Sequence, residues 1–261
     1  MKILVCVKQI PDPEAPLGSI KIGSDGRTID ASSLRQVVNP YDENALEAAL
    51  RIKDRNGGEV TVLSAGHNLD VSVLRKALAV GADKLILLKA PLLENIDTNS
   101  AAYALSAAVK KTGPYDLVLT GRQAGDWDSG HTGIVLGQML GIAAINLARK
   151  VSVDDGNVIV EKIVPGGYEE VRAALPALVT VSNEVGGLRY PSMKMILQSR
   201  RRPVDTWGLE DVQADPERIR AMQIVRMFPP PDLTRQCEFI DGGSPEEKGR
   251  NLAKILKREF G

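Results

Sequence analysis

Cysteine and histidine are nearly absent from these 261 residues, with only two of each: Cys6, Cys237, His67 and His131. Two cysteines so far apart cannot form a disulfide framework, and they point to a reducing compartment. With no C-x-x-C, H-x-x-x-H or Cys/His cluster, no zinc or iron–sulfur site is expected and no metal is assigned. Aromatic residues make up 4%, too few for the stacking platforms of single-strand nucleic-acid binders. An excess of charge is also missing. Lys plus Arg total 33, as do Asp plus Glu, so no global field favours nucleic acid or an anionic membrane. No run of about 18 apolar residues exists to span a bilayer. Met1-Lys2-Ile3-Leu4-Val5 enters a strand directly, without an apolar leader or small-residue cleavage site. A cytoplasmic protein is therefore expected, with no membrane insertion.

What is present is the ordinary mix of a globular protein, 43% hydrophobic and 25% charged. Ile3–Val7, Glu59–Ala65, Lys84–Leu88 and Leu117–Thr120 read as buried strands. Between them, helical spacing predicts helices from Asn39-Pro40 to Ile52, over Val71–Val80 and over Thr98–Lys111. Asn39 is expected to cap the first and Pro40 to take its first position. Strands alternating with helices imply right-handed crossovers and a mostly parallel sheet, whose ligands bind at the carboxyl ends of the strands. Ser19–Ile22 and Arg27–Ile29 flank a turn and suggest a small hairpin. After residue 145 the pattern changes to the alternating runs Val151–Val153, Val158–Val164 and Glu170–Ala174, an antiparallel meander, followed by the strand Ala177–Val181. The expected fold is α/β: a mostly parallel, Rossmann-like sheet with flanking helices, plus the meander and an extended C-terminal arm. Residues 1–187 form the nucleotide-binding domain. Residues 188–261 carry Arg200-Arg201-Arg202 and Pro229-Pro230-Pro231 and read as the arm, ending in a helix over Pro245–Phe260. Such an arm cannot bury much of itself and needs a partner to lie on.

The most informative stretch is Gly121-Arg122-Gln123-Ala124-Gly125-Asp126-Trp127-Asp128-Ser129-Gly130-His131-Thr132-Gly133. It follows a strand and leads into a helix beginning near Ser129–Thr132. Four glycines allow close backbone approach, and free N–H groups at a helix start suit a pyrophosphate. The loop alone leaves open a plain glycine-rich β–α turn. It is neither a Walker A nor a G-x-G-x-x-G sequence, so phosphoryl transfer is not proposed. Asp126 and Asp128 have no third carboxylate or base beside them and are assigned to loop structure or ribose contact. His131 has no orienting partner and reads as a hydrogen-bonding group. His67 reads as loop structure and Cys6 as a small core residue. Ser64 and Ser182 lack a nucleophile elbow. No catalytic residue is assigned.

Ile3 to Asp12, Asn39 to Ala49, the 121–133 loop, Gly166 to Glu170 with Leu175 to Val181, and Arg189 to Lys194 together resemble the β subunits of electron transfer flavoproteins. The likeness covers about residues 1–207, in order and at family spacing. It implies a heterodimer whose α subunit carries FAD, while the β subunit holds an adenine nucleotide. In one branch that nucleotide is a structural AMP. In the other it is a second FAD that accepts hydride from NADH and bifurcates the electrons. The resemblance implies a nucleotide pocket of Cys6, Asn39, Pro40, Tyr41, Asp42, Ala65 and the loop from Gly121 through Asp126 to Gly137. Tyr41 would also lie near the α subunit's flavin. Tyr190, Pro191, Ser192, Met193 and Lys194 correspond to a loop that docks acyl-CoA-dehydrogenase-type or other redox partners, with Met193 the apolar anchor. Asp42 and the Asp-x-Asp pair favour FAD, Thr132-Gly133 is closer to the AMP pattern, and Trp127 fits neither. FAD is the expected occupant. On its own the chain is an electron-carrier subunit rather than an enzyme. From other classes, an ATP-using adenylating enzyme would need a Ser/Gly-rich phosphate loop after the first strand, which Lys8-Gln9-Ile10-Pro11 lacks. A nucleotide-binding stress protein would have little use for the arm.

Overall fold

A computed structural model of the chain describes residues 1–30, 34–220, 222–229 and 237–260. Five parallel strands form the centre of the sheet: β1 (Lys2–Cys6), β6 (Glu59–Gly66), β7 (Lys84–Lys89), β8 (Leu117–Gly121) and β12 (Ala177–Val181). The meander is β9 (Ala143–Asp154), β10 (Asn157–Val164) and β11 (Gly167–Ala174), and the last strand is β13 (Asp205–Trp207). All nine join one sheet in the order β11-β10-β9-β12-β8-β1-β6-β7-β13. Small antiparallel pairs join β2 (Gln9–Pro11) to β5 (Gln36–Val38) and β3 (Lys21–Ile22) to β4 (Ile29–Asp30).

Alternation along the strands sorts the core to two faces. Ile3 and Val5 of β1 face α1 (Pro40–Asn56), α2 (Val71–Leu74) and α3 (Lys76–Val80), with Leu46, Leu50, Leu74 and Leu78 buried against them. Leu4 and Cys6 face α4 (Thr98–Thr112) and α5 (Thr132–Leu140), against Ala102, Leu105 and Leu136. The chain runs β1, β6, β7 towards one edge, then returns to place β8 on the other side of β1. That reversal is the topological switch point, where open α/β sheets form a ligand crevice.

Three expectations need correction. Asn39 precedes α1 but makes no side-chain cap, because its amide is committed to the 121–133 loop; Pro40 does open the helix. The single helix over Val71–Val80 breaks at Arg75 into α2 and α3. Arg75 sends its guanidinium across to the carbonyls of Ser199 and Arg202 at 2.6 and 2.8 Å. Residues after 187 are not all arm. They supply α6 (Met193–Arg201) and β13, and Leu209, Val212, Ala214 and Ile219 bury in the same core as α4. Those four side chains are too scattered to form an apolar run, but each lands on the α4 face of the sheet. The first compact unit thus extends from Met1 to Arg226.

The second unit, Met227–Gly261, contains α7 (Pro245–Phe260), the helix expected from sequence. Ser244 Oγ accepts from the Glu247 amide at 3.2 Å, and the Glu247 carboxylate accepts from the Gly243 amide at 2.9 Å. This reciprocal pair starts the helix in the manner of a capping box. No α7 side chain is buried. Pro230 and Pro231 of the proline run lie outside the described residues.

Candidate functional site

A cavity of about 810 Å³ opens at the carboxyl ends of β1, β6 and β8. Its floor is built by α1 reaching under the strand ends. Asp42 Oδ2 accepts from the Lys8 amide and Oδ1 from the Gly121 amide, both at 2.8 Å. Asn39 Nδ2 donates to the Gln123 carbonyl at 2.8 Å, and its Oδ1 accepts from the Gly125 amide at 3.2 Å. One amide side chain thereby holds the loop in both directions, which accounts for its absence from the cap.

Glycine is required at two points of this wall. A Cβ at Gly121 would lie 2.5 Å from Asp42 Oδ1 and 2.7 Å from the Tyr41 carbonyl carbon. A Cβ at Gly133 would lie 2.5 Å from Thr120 Oγ1 and 2.7 Å from Thr180 Cγ2. With a glycine there, the first turn of α5 seats against β8 and β12. No side chain caps α5, whose preceding residue is His131. Its first-turn N–H groups and dipole are therefore available to an anion at the cavity edge. Across the loop, Lys8 Nζ pairs with Asp126 Oδ2 at 2.6 Å, and Gln123 Nε2 donates to Asp128 Oδ1 at 2.8 Å. Burial raises Asp42 to about 6 from its ordinary 3.8, against the pull of the Lys8, Asn39 and Gly121 hydrogen bonds. Burial, followed by the Asp42 charge, pushes the Cys6 thiol well up, so it stays neutral and unreactive. The arrangement offers donors, a helix start and an apolar recess, but no nucleophile with a base beside it.

The electron transfer flavoprotein domain matches residues 27–212. The chain is 35% identical to the caffeyl-CoA reductase-Etf complex subunit CarD of Acetobacterium woodii, over 99% of both chains. It is 35% identical to the electron transfer flavoprotein subunit beta of Clostridium acetobutylicum, over 100% of both. It is 32% identical to the protein FixA of Azorhizobium caulinodans, over 99% of this chain and 95% of that one. The chain belongs to the electron transfer flavoprotein family, as a β subunit. Subunits of this kind act beside an α subunit in electron-transfer complexes associated with flavin or adenine nucleotide. Among the described residues no helix is long and apolar enough to cross a membrane, and no cluster of His, Cys, Asp and Glu is placed to hold a metal ion.

Of the pocket residues expected in this electron transfer flavoprotein chain, the cavity brings together Cys6, Asn39, Asp42, Ala65, Gly121, Arg122, Gln123, Asp126, Trp127, Ser129, Gly130, Thr132 and Gly133. Pro40, Tyr41 and Asp128 instead line a smaller recess of about 390 Å³ behind the loop, and His131 lines neither. Gly137 is buried against Ala144 and Leu178. The cavity also takes in His67, which the sequence assigned to loop structure, and residues it did not single out: Gln36, Asn68, the stretch Leu93–Thr98, Leu105 and Met222. The strand-end rule applied to β6 would have found His67 and Asn68. Met222 arrives through a strap in which its amide donates to the Asn95 carbonyl at 2.6 Å, and nothing local in the sequence signals that contact. In the expected docking stretch, Tyr190 is 98% and Met193 72% exposed, so both present apolar surface to solvent. Ser192 caps α6, accepting from the Met195 amide at 3.3 Å.

Proposed function

We propose that this β subunit holds FAD in the β1/β8 crevice and works beside an α subunit with its own FAD, passing electrons between a dehydrogenase and an acceptor. The carrying observation is the cavity's extent. It runs from the 121–133 loop and the α5 start, past Cys6 and Ala65, into an apolar annex of Leu93, Ile96, Ala101, Leu105 and Met222. A mononucleotide, less than half the size of FAD, would leave the annex to water. A glycine wall and an uncapped helix start suit the pyrophosphate that FAD has and AMP lacks. When bound, the flavin supplies hydride and single-electron chemistry, which explains a site without a catalytic base. The chain's own residues bind and orient. Asn39 and Asp42 set the loop, α5 receives the phosphates, and the annex excludes water.

With FAD in this subunit, NADH becomes the donor and electron bifurcation the reaction of the complex. The CarD relative is named for a caffeyl-CoA reductase complex, and an acyl-CoA-dehydrogenase-type enzyme is the redox partner proposed here. It would dock on Tyr190, Pro191, Ser192, Met193 and Lys194. The deciding experiment is to denature the co-expressed heterodimer and identify its nucleotides by mass. Two FAD per heterodimer supports the reading. One FAD with one AMP would make the complex a single-flavin shuttle and the β nucleotide a structural part.

A further inference from the structure

The β1–β8 ladder pairs Ile3 with Leu117 through Cys6 with Thr120 and then stops. Just beyond, Asp42 takes over. Its carboxylate spans the gap, one oxygen on the Lys8 amide and the other on the Gly121 amide, at 2.8 Å each. The bridge stands at the switch point itself, buried, with the cavity above it. The Gly121 wall leaves no free space: a Cβ there would lie 2.5 Å from the carboxylate.

We infer that Asp42 is a positioning residue whose ionised carboxylate fixes the width of the crevice, so that the chain grips its nucleotide with Asp42 charged and releases it with Asp42 neutral. This rests on the reading that the crevice holds a nucleotide. An ionised carboxylate accepts from both amides at once. A neutral acid turns one oxygen into a hydroxyl and leaves one buried N–H without a good acceptor. One strand end must then shift to reach another partner, and both strand ends are cavity wall. The charged neighbours are few. From β1 comes the buried Cys6 thiol, which stays neutral, and from the turn after it Lys8, held on Asp126. From the loop after β8 comes Arg122, whose guanidinium stacks 5.6 Å from the Tyr41 ring. On α1 itself, Glu43 is paired with Lys76 at 2.5 Å. Asp42 is the group among these whose affinity for protons burial has raised to about 6, within reach of mild acid.

The experiment uses the heterodimer. It is desalted at a series of pH values from 8 down to 5, and the adenine nucleotide it retains is released by denaturation and counted. The α-subunit flavin serves as internal reference. The wild type should keep the β nucleotide above neutral pH and lose it in one single-proton step. Affinity for the β nucleotide should weaken about tenfold per pH unit below the step. Asp42→Asn, which presents one acceptor and one donor to the two amides, should hold the β nucleotide weakly at every pH with no step. Lys8→Met removes the nearest cation and should move the step to higher pH. This variant and the wild-type profile carry the test if Asp42→Asn does not assemble. A wild type without a step, or the same step in Asp42→Asn, overturns the inference while leaving the nucleotide reading intact. A step unmoved in Lys8→Met also removes Asp42 as its source. A heterodimer with no nucleotide beyond the α-subunit flavin at any pH removes the nucleotide reading and the inference together.

Discussion

Asp42 combines two demands that pull in opposite directions. Its proton affinity is higher in the folded chain than at its ordinary 3.8. Its contribution to folding is therefore complete below pH 4 and lost as pH climbs past about 6, a difference of roughly 3 kcal/mol. The ligand-free heterodimer should thus unfold more readily at pH 7 than at pH 5 as far as Asp42 is concerned, and Asp42→Asn should flatten that slope. Nucleotide retention should run the other way. A chain keeps a buried charge at such a cost where the charge is used. Gly121 gives a second residue-scale prediction. Gly121→Ala pushes a methyl into Asp42 and the Tyr41 backbone, neither of which can give way. The expected result is about 1–3 kcal/mol of lost stability, measured by denaturant titration, together with loss of the β nucleotide. The sequence supplied Gly121, Asp42 and Asn39 as site residues. It did not show that Asn39 would leave its helix cap, because the competing partners lie more than eighty positions away, at Gln123 and Gly125.

At the scale of elements, α1 ties two parts of the surface together. Asn44 donates to the Gly186 carbonyl at 2.7 Å, and Arg51 to that of Val185 at 2.8 Å. Glu47 accepts from the Arg189 amide and Nε, both at 3.0 Å, and from Arg51 at 2.9 Å. Burial pushes Glu47 up, but the hydrogen bonds from Arg189 and Arg51 outweigh it and hold the carboxyl below its ordinary 4.5. The stability this brings is complete above that value and lost below it, as pH falls through the lowered folded-state value. Glu47→Ala should cost about 1–3 kcal/mol. It should also raise hydrogen exchange in residues 186–189 while leaving the nucleotide bound. Met193→Ala should slow reduction by an acyl-CoA-dehydrogenase-type partner, read by stopped-flow absorbance, with flavin content unchanged. Unchanged kinetics would take Met193 out of the docking surface. Strands and long helices were legible because each carries its own period, as in β1 and α4. α6 and β13 were not. Three residues of β13 hold no period, and its place beside β7 depends on the Arg75 and Arg202 contacts that fold the chain back.

At the scale of the molecule, the two compact units differ in what they bury. The first encloses a core on both sheet faces. The second leaves Phe239, and in α7 Leu252, Leu256 and Phe260, exposed. Removing residues 227–261 should leave the first unit folded, with an unchanged melting temperature and a loss of helical circular dichroism no larger than α7 accounts for, and weaken association with the α subunit in a pull-down titration. Undiminished association would show that the second unit is not the arm. Along α1, Asp42 and Glu47 are five residues apart, about 8 Å of helix rise. One end of that short rod holds the crevice, and the next turn holds the loop leading to Tyr190 and Met193. On the function proposed above, a lineage that changes its redox partner and a lineage that changes its nucleotide both edit the same two turns of helix. Drift in one trait constrains the other, and compensating substitutions in these chains should accumulate in pairs across positions 39–51 and 183–189.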